Sequence, residues 1–216
     1  AVGRGRVAVQ LAADIVLRHQ VWQGTLLGRF DLSAILAQDR CDPGQADSVV
    51  NFFFGGTGND TLIGFTGNDT LNGDDGDDVV SGRQGDDHIA GGDGNDYLHG
   101  NADNDTVEGG AGDDTLLGGI DADSLSGGTG ADSLTGGSGA DTFVFNAGDG
   151  GDIVTDFEGA SDRIDLDASF GITDQASLDA IKSDDGNGNT LLDFGDGDTL
   201  TLIGVDESTF SIGYII

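Results

Sequence analysis

A large apolar residue returns every nine positions between residues 55 and 144, and an aspartate stands two positions before each one. The period holds without insertion over ten units, which indicates a repeat architecture. Each unit predicts a six-residue turn that ends in aspartate, followed by a three-residue strand such as residues 61–63. The central residue of each strand should point inward. These residues are Leu62, Leu71, Val80, Ile89, Leu98, Val107, Leu116, Leu125, Leu134 and Phe143.

Position one of every unit is glycine, and position six is aspartate. If every turn reverses the chain, two units form one coil, and the turns of alternate units stack on the same edge. The aspartates then form two rows of five, with neighbours about 4.8 Å apart. The first row holds Asp60, Asp78, Asp96, Asp114 and Asp132, and the second holds Asp69, Asp87, Asp105, Asp123 and Asp141.

Residues 1–50 precede the repeat domain, which we place at residues 51–144. Apolar residues in this first segment have a helix-like spacing at Leu11, Ile15, Trp22 and Leu26. Three interpretations stay open: the end of an upstream domain, a cap on the repeats, or a leader.

Residues 145–216 lose the strict period and alternate apolar with polar residues, which predicts a small β-rich cap. A hairpin is expected where residues 190–194 and 199–203 flank the turn Gly195-Asp196-Gly197-Asp198. The all-β repeat domain should therefore be followed by a small β-rich cap.

Charge narrows the classes of partner. The chain has 40 acidic and 8 basic residues, a net charge of −32. This balance argues against nucleic acid and anionic membranes and favours cations or basic partners. Low hydrophobicity with high net charge is also typical of disorder, so the repeat period carries the argument for an ordered fold. Cys41 is the only cysteine, which excludes an internal disulfide and makes a metal the natural substitute.

The aspartate rows need a cation. Adjacent carboxylates at this spacing repel by about 1 kcal/mol at the dielectric of water and by several at an effective dielectric near 20. Calcium fits because it takes six to eight oxygen ligands, which carboxylates and backbone carbonyls of a glycine-rich turn supply. The repeating positions lack the thiolates and imidazoles that zinc prefers. An ion between each consecutive pair of turns gives about eight ions.

Calcium should also control folding. The ten inward apolar side chains bury too little surface to offset the conformational entropy of ordering the repeats. We therefore expect the repeats to be largely unfolded without calcium and to fold cooperatively with it.

At position four, Asp103 and Asp121 replace glycine, either as substitutions that tolerate a left-handed backbone or as altered ion contacts.

The unit Gly55-Gly56-Thr57-Gly58-Asn59-Asp60-Thr61-Leu62-Ile63 resembles the RTX (repeats-in-toxin) nonapeptide. The resemblance implies a right-handed parallel β-roll whose calcium ligands are the position-six aspartates and carbonyls at positions such as two and four. The glycines at those two positions are Gly56, Gly58, Gly67, Gly76, Gly85, Gly92, Gly94, Gly110, Gly112, Gly119, Gly128, Gly130, Gly137 and Gly139. Position two departs from glycine at Phe65, Asp74, Arg83 and Asn101.

The segment after the repeats resembles the C-terminal parts of RTX exoproteins such as the serralysin-type proteases. The resemblance is carried by residues 139–145, 152–157 and 162–166, and the apolar end is Gly213-Tyr214-Ile215-Ile216. It implies an uncleaved signal for type I secretion machinery and an extracellular location. An N-terminal signal pattern and a stretch long enough to span a membrane are both missing from the sequence.

Catalytic motifs are absent from the sequence. The three histidines lack HExxH spacing, and no serine lies in a GxSxG motif. The chain is therefore expected to be a non-catalytic calcium-binding module of an exoprotein, which could itself be an enzyme. Two alternatives stay open: an auxiliary module of a polysaccharide-active enzyme of the alginate epimerase or lyase type, and a calcium-dependent surface adhesin or matrix protein.

Overall fold

A computed structural model describes residues 50–216. The nine-residue period produces alternating strands that belong to two sheets. The first sheet has the order β1-β3-β5-β7-β9-β11-β13, and its strands are β1 Phe52–Thr57, β3 Thr70–Asp75, β5 His88–Asp93, β7 Thr106–Ala111, β9 Ser124–Thr129, β11 Thr142–Phe145 and β13 Arg163–Leu166.

The second sheet has the order β2-β4-β6-β8-β10-β12-β16-β15-β14. Its strands are β2 Thr61–Thr66, β4 Val79–Gln84, β6 Tyr97–Ala102, β8 Thr115–Ile120, β10 Ser133–Ser138, β12 Gly151–Val154, β14 Lys182–Asp184, β15 Thr190–Gly195 and β16 Asp198–Leu202. Short helices lie at Ala168–Phe170 (3-10), Gln175–Ile181 (α1) and Ile212–Tyr214 (3-10). None of the helices in this part of the chain is long and apolar enough to cross a membrane.

Strands within the repeats pair in parallel with the strand 18 residues away, as Leu62 does with Val80 and Leu71 with Ile89. Two units therefore make one coil. The predicted parallel β-roll is confirmed as a parallel β-solenoid. The predicted three-residue strands are too short, because β1 to β10 each have six residues and run into the first half of the next turn. Parallel stacking lets turn residues pair as well, for example Phe65 with Arg83.

The inward positions form the core between the sheets. All ten position-eight side chains are buried, with 0 to 2 % of their surface exposed. They form one cluster with the position-six aspartates close by at the turn ends. The apolar residue of each unit therefore sets which face of the strand is inside, as expected from strand alternation.

The C-terminal part covers the end of the roll. The predicted hairpin is present as β15 and β16, which pair antiparallel, and β16 pairs in parallel with β12. Phenylalanine rings fill the junction, with Phe145 stacked on Phe194 at 5.1 Å between ring centroids. At the other sheet, Ile216 donates its backbone N–H to Ile164 at 3.0 Å. Both sheets thus continue past residue 144, and the three-part division of the chain stays a prediction.

The interpretations of residues 1–49, including the helix-like spacing, lie outside the described residues.

Candidate metal centre

The ten position-six aspartates stand in the two predicted columns, one along each edge of the roll. Their side chains are only 1 to 4 % exposed. Eight backbone bonds link successive members of a column: the N–H of one aspartate donates to Oδ1 of the aspartate 18 residues later, at 2.6 to 2.9 Å. These bonds hold each carboxylate in one orientation along the column.

The second carboxylate oxygen is left without a partner in most of these aspartates. Oδ2 is buried and accepts no hydrogen bond in Asp78, Asp87, Asp96, Asp105, Asp114, Asp123 and Asp132. A buried carboxylate oxygen without a donor is costly, because it has lost its hydration and gained nothing in return. Repetition of the same orphaned atom in turn after turn indicates a ligand position.

Position-one glycines line the space that these oxygens face. A Cβ added to Gly73 would lie 2.2 Å from Asp78 Oδ2 and 2.5 Å from the carbonyl oxygen of Gly91 in the next turn. The two oxygens are therefore no more than 4.7 Å apart, within the reach of a cation that binds oxygen at about 2.3–2.6 Å. Glycine is required here because a side chain would fill the space between the two oxygens. The position-one carbonyls were not among the ligands proposed from sequence.

Carbonyls at positions two and four point from one turn toward the next. A Cβ on Gly76 would lie 2.3 Å from the oxygen of Gly58, and one on Gly92 would lie 2.0 Å from the oxygen of Asp74. All fourteen glycines proposed as carbonyl ligands have positive φ: Gly56, Gly58, Gly67, Gly76, Gly85, Gly92, Gly94, Gly110, Gly112, Gly119, Gly128, Gly130, Gly137 and Gly139. Their assignment as ligands stays a prediction.

Residues that replace glycine at these positions keep the same backbone conformation. The φ angles are positive at Phe65, Asp74, Arg83, Asn101, Asp103 and Asp121. The course of the backbone, and with it the direction of the carbonyls, is therefore maintained. Some of these side chains also make hydrogen bonds: Asp103 Oδ2 accepts the backbone N–H of Gly85 at 2.9 Å, and Asn101 Nδ2 donates to Ser81 Oγ at 3.0 Å.

The donor set fits calcium. Within residues 50–216, no group of three or more His, Cys, Asp or Glu side chains converges on a point. Two carboxylates from successive turns therefore need backbone carbonyls to complete a coordination shell. A shell of carboxylate and carbonyl oxygens is that of a hard cation such as calcium, and it lacks the sulfur and nitrogen donors that zinc prefers.

Comparison with known families identifies the repeats. A profile for the RTX calcium-binding nonapeptide repeat (4 copies) matches residues 47–80, 81–116 and 117–154, which together make up half of the chain. The chain belongs to the RTX family. Calcium binding is the property that this family's description carries, and it agrees with the oxygen-only donor set.

Among solved structures, the RTX chain is similar to the AlgE6R3 subunit of the mannuronan C5-epimerase of Azotobacter vinelandii, a solution structure. The two are 23% identical over 79% of this chain and 80% of that chain, with a TM-score of 0.34. None of the curated proteins compared matches the chain significantly.

Burial and mutual repulsion perturb the ionisation of the RTX aspartates. The pKa of Asp105 is raised to about 8, first by burial and then by the charges of Asp87 and Asp123. The same causes raise the pKa of Asp114 to about 7, again with burial first. The backbone N–H bond to each carboxylate lowers its pKa and opposes the shift only in part. A cation between the carboxylates would reverse these effects.

A second ladder, missed from the sequence, runs outside the aspartate columns at position five. Asp77 donates its backbone N–H to Asn59 Oδ1 at 3.3 Å, and Asn95 donates its own to Asp77 Oδ1 at 3.0 Å. Asn and Asp alternate along each column, so like charges are not adjacent. The sequence does contain a pattern that predicts this ladder, because position five is Asn or Asp in seven of the ten units: Asn59, Asn68, Asp77, Asp86, Asn95, Asn104 and Asp113.

Proposed function

We propose that the RTX repeats of this chain form a calcium-triggered folding module. The observation that carries the proposal is the column of buried aspartates whose Oδ2 atoms have no hydrogen-bond partner, as in Asp96 and Asp114. A Cβ added to Gly91 would lie 2.2 Å from Asp96 Oδ2 and 2.5 Å from the carbonyl oxygen of Gly109 in the following turn, so glycine keeps open a space that both oxygens border.

The chain's own residues explain why folding should depend on the ion. Stacking the turns places carboxylates in dehydrated columns, where burial and repulsion oppose ionisation, as the raised pKa of Asp123, about 7, illustrates. Bound calcium supplies positive charge between the turns and ligand sites for the orphaned oxygens. The free energy of ion binding is then added to the free energy of folding.

A calcium titration followed by far-ultraviolet circular dichroism tests this proposal. We expect little strand signal in calcium-free buffer and a cooperative rise with calcium. Magnesium is the matched control, because it demands smaller octahedral geometry and keeps its water ligands. An unchanged strand signal after exhaustive removal of calcium would refute the proposal.

We further propose that folding takes place outside the cell, after export through type I secretion machinery. The support is the resemblance of residues 139–145, 152–157 and 162–166 to RTX exoprotein tails. Extracellular modules bind calcium at about 10⁻⁴–10⁻³ M, so the repeats would stay unfolded at cytosolic calcium.

Co-expression with a type I exporter tests the export proposal. Deletion of residues 211–216 should move the protein from the medium to the cell, and its level in cells without the exporter controls for degradation. Equal amounts of the full and shortened chains in the medium would contradict it.

A second candidate function is calcium-dependent binding of an acidic polysaccharide. Phe65, Arg83 and Asn101 stack in register at position two, with positive φ at each. Arg83 is exposed and forms no ion pair within residues 50–216. A cation beside an aromatic ring suits a uronate, and side chains kept at a strained φ favour a functional role.

Calorimetry with alginate oligomers in calcium tests this second candidate. Arg83→Gly restores the repeat residue without backbone strain and should abolish the binding heat, while neutral oligosaccharides serve as the ligand control. Equal heats for the wild type and Arg83→Gly would count against it.

A further inference from the structure

The second sheet presents an outward face without carboxylates. Strand alternation points positions seven and nine of β2, β4, β6, β8 and β10 outward. The strand register continues these two columns through residues 153 and 155 at β12 and residues 201 and 203 at β16. None of these outward residues is acidic, although the chain has 40 acidic residues. This strip, called the neutral face below, is flanked by turns that carry the negative charge.

Large apolar side chains stand exposed on the neutral face. Val79 and Tyr97 are each 45 % exposed, and Ile153 and Ile203 are 40 % and 39 % exposed. Leu117, at position nine of the central strand β8, is half-buried. Apolar side chains grouped on one strip of an otherwise highly charged surface typically mark a place where another surface docks.

The first sheet shows that strand formation alone does not require such residues. Its outward positions on β3, β5, β7 and β9 hold no large apolar side chain, and one of them is Glu108. Both sheets are built from the same repeat, and on the first sheet Thr and Ser supply much of the β propensity. The large apolar residues of the neutral face therefore need another explanation than the fold.

The residue types along the neutral face read alike from both ends. β8 is the fourth of the seven strands β2, β4, β6, β8, β10, β12 and β16. At equal distances on either side of it, Val79 corresponds to Ile153 in the position-seven column. Ile63 corresponds to Ile203 in the position-nine column, and Leu117 lies at the centre of that column. The apolar positions are therefore arranged symmetrically about β8.

The remaining positions are also compatible with this symmetry. Tyr97 and His99 of β6 correspond to Ser133 and Thr135 of β10, so that two bulky side chains match two small ones. The hydroxyl residues correspond in pairs, Thr61 with Thr201 and Ser81 with Thr155, and Thr115 lies at the centre. A surface with this arrangement is complementary to itself, as a two-fold interface requires.

We propose that the neutral face binds the neutral face of a second copy of this chain, about a two-fold axis parallel to β8. This axis keeps the strand direction and reverses the strand order, so β4 lies over β12 of the partner. Val79 then faces the partner's Ile153, and Leu117 faces the partner's Leu117. A two-fold axis along the roll would instead place each position seven over a position nine, such as Val79 over the partner's Ser81. Sheets packed face to face keep their strands aligned within about 30°, which this arrangement satisfies.

Charge favours this face for a second copy. Each chain has a net charge of −32, so two copies repel each other wherever their carboxylates meet. Contact through the neutral faces leaves the acidic turns at the rim of the interface, where water and salt screen them. Higher ionic strength should therefore strengthen the dimer, whereas an interface held by ion pairs would weaken.

The size of the face predicts a weak dimer. Seven strands cover six spacings of about 4.8 Å, or about 29 Å, and a six-residue strand is about 20 Å long. The face therefore measures about 600 Å², compared with about 800 Å² buried per partner in a standard interface. The dimer should accordingly form only toward the upper end of a protein concentration series.

A charge exchange at residue 117 tests both the face and the axis. Sedimentation equilibrium of the full chain in saturating calcium measures the dimer. Leu117→Glu should weaken it at least about tenfold, because two carboxylates would face each other across the axis. Leu117→Lys should weaken it for the same reason. An equimolar mixture of the two variants should form the dimer that neither forms alone, because Glu of one copy then faces Lys of the other.

The control is Ser126→Glu, at the half-buried position nine of β9 in the first sheet, which should leave the dimer unchanged. Circular dichroism establishes that each variant is folded. The interface needs only a folded roll, so a roll that folds without calcium would refute the proposed function and leave this test valid. A wild-type chain that stays monomeric at every concentration would overturn the inference. A mixture no more dimeric than the separate variants would overturn it as well, since another partner or another geometry would then have to cover the face.

Discussion

Replacement of Asp96 by asparagine should change stability in opposite directions with and without calcium. The amide retains an oxygen that can accept the N–H of Asp78, the bond that measures 2.7 Å. It removes one charge from the middle of a column and puts an NH₂ group in place of the orphaned Oδ2. Packing is conserved, so any large effect comes from charge and ligation.

The magnitudes follow from the column geometry. Two carboxylates about 4.8 Å apart repel by about 1 kcal/mol at the dielectric of water and by about 3.5 kcal/mol at an effective dielectric of 20. Asp96 has two neighbours, Asp78 and Asp114, so the calcium-free roll should gain at least about 2 kcal/mol. In calcium at about a hundred times the dissociation constant, each lost site costs about 2.7 kcal/mol.

Two titrations measure the change in folding stability of Asp96→Asn, one without calcium and one with it. In calcium-free buffer, folding is induced with trimethylamine oxide, which favours compact states, and Asp96→Asn should fold at a lower concentration than the wild type. In saturating calcium, the variant should unfold at a lower urea concentration. The control is Asp77→Asn, which removes one charge from an exposed position in the preceding turn of the column and should leave the calcium-loaded stability unchanged. Destabilisation of equal size under both conditions would refute the electrostatic reasoning.

Three further predictions concern the turns and the core. Gly73→Ala should weaken calcium binding because its Cβ would lie 2.2 Å from Asp78 Oδ2. Gly56→Ala has open space around its Cβ at φ 99° and should cost only about 1–2 kcal/mol of stability through backbone strain. Calcium titrations of both variants separate loss of binding from backbone strain. Leu98→Ala, at a fully buried position, should cost about 2–5 kcal/mol in urea denaturation with calcium present, and the half-buried Leu117→Ala should cost less. In calcium-free buffer, the roll should fold at a lower trimethylamine oxide concentration at pH 5.5 than at pH 8. The reason is that the raised pKa of Asp105, about 8, favours the folded state at low pH, and this contribution is lost as the pH rises toward 8. Equal folding midpoints at the two pH values would contradict this sign.

The repeats allowed unusually close prediction because one period determines both the inside of the strand and the stacking of the turns. Leu62 and Leu71 are buried in opposite sheets, as alternation of units requires. The same period placed Asp60 and Asp78 in one column, and the bond between them is 2.6 Å long. What it did not reveal was the direction of each carbonyl, which depends on φ and ψ within the turn. The carbonyl of Gly91, facing Asp78, was missed for that reason.

The end of the repeats shows that two different signals were combined in one pattern. Aspartate followed two positions later by an apolar residue persists at Asp152 with Val154 and at Asp162 with Ile164, and both apolar residues are fully buried in strands. Glycine at position four persists only at Gly150, and its turn stacks on the turn before it, since a Cβ there would lie 2.2 Å from the oxygen of Gly130. The aspartate-apolar spacing therefore reports the strand, while glycine reports the stacked turn that a cation needs. A search that treats the two separately would follow the strands to β13 and the calcium column only as far as Asp152.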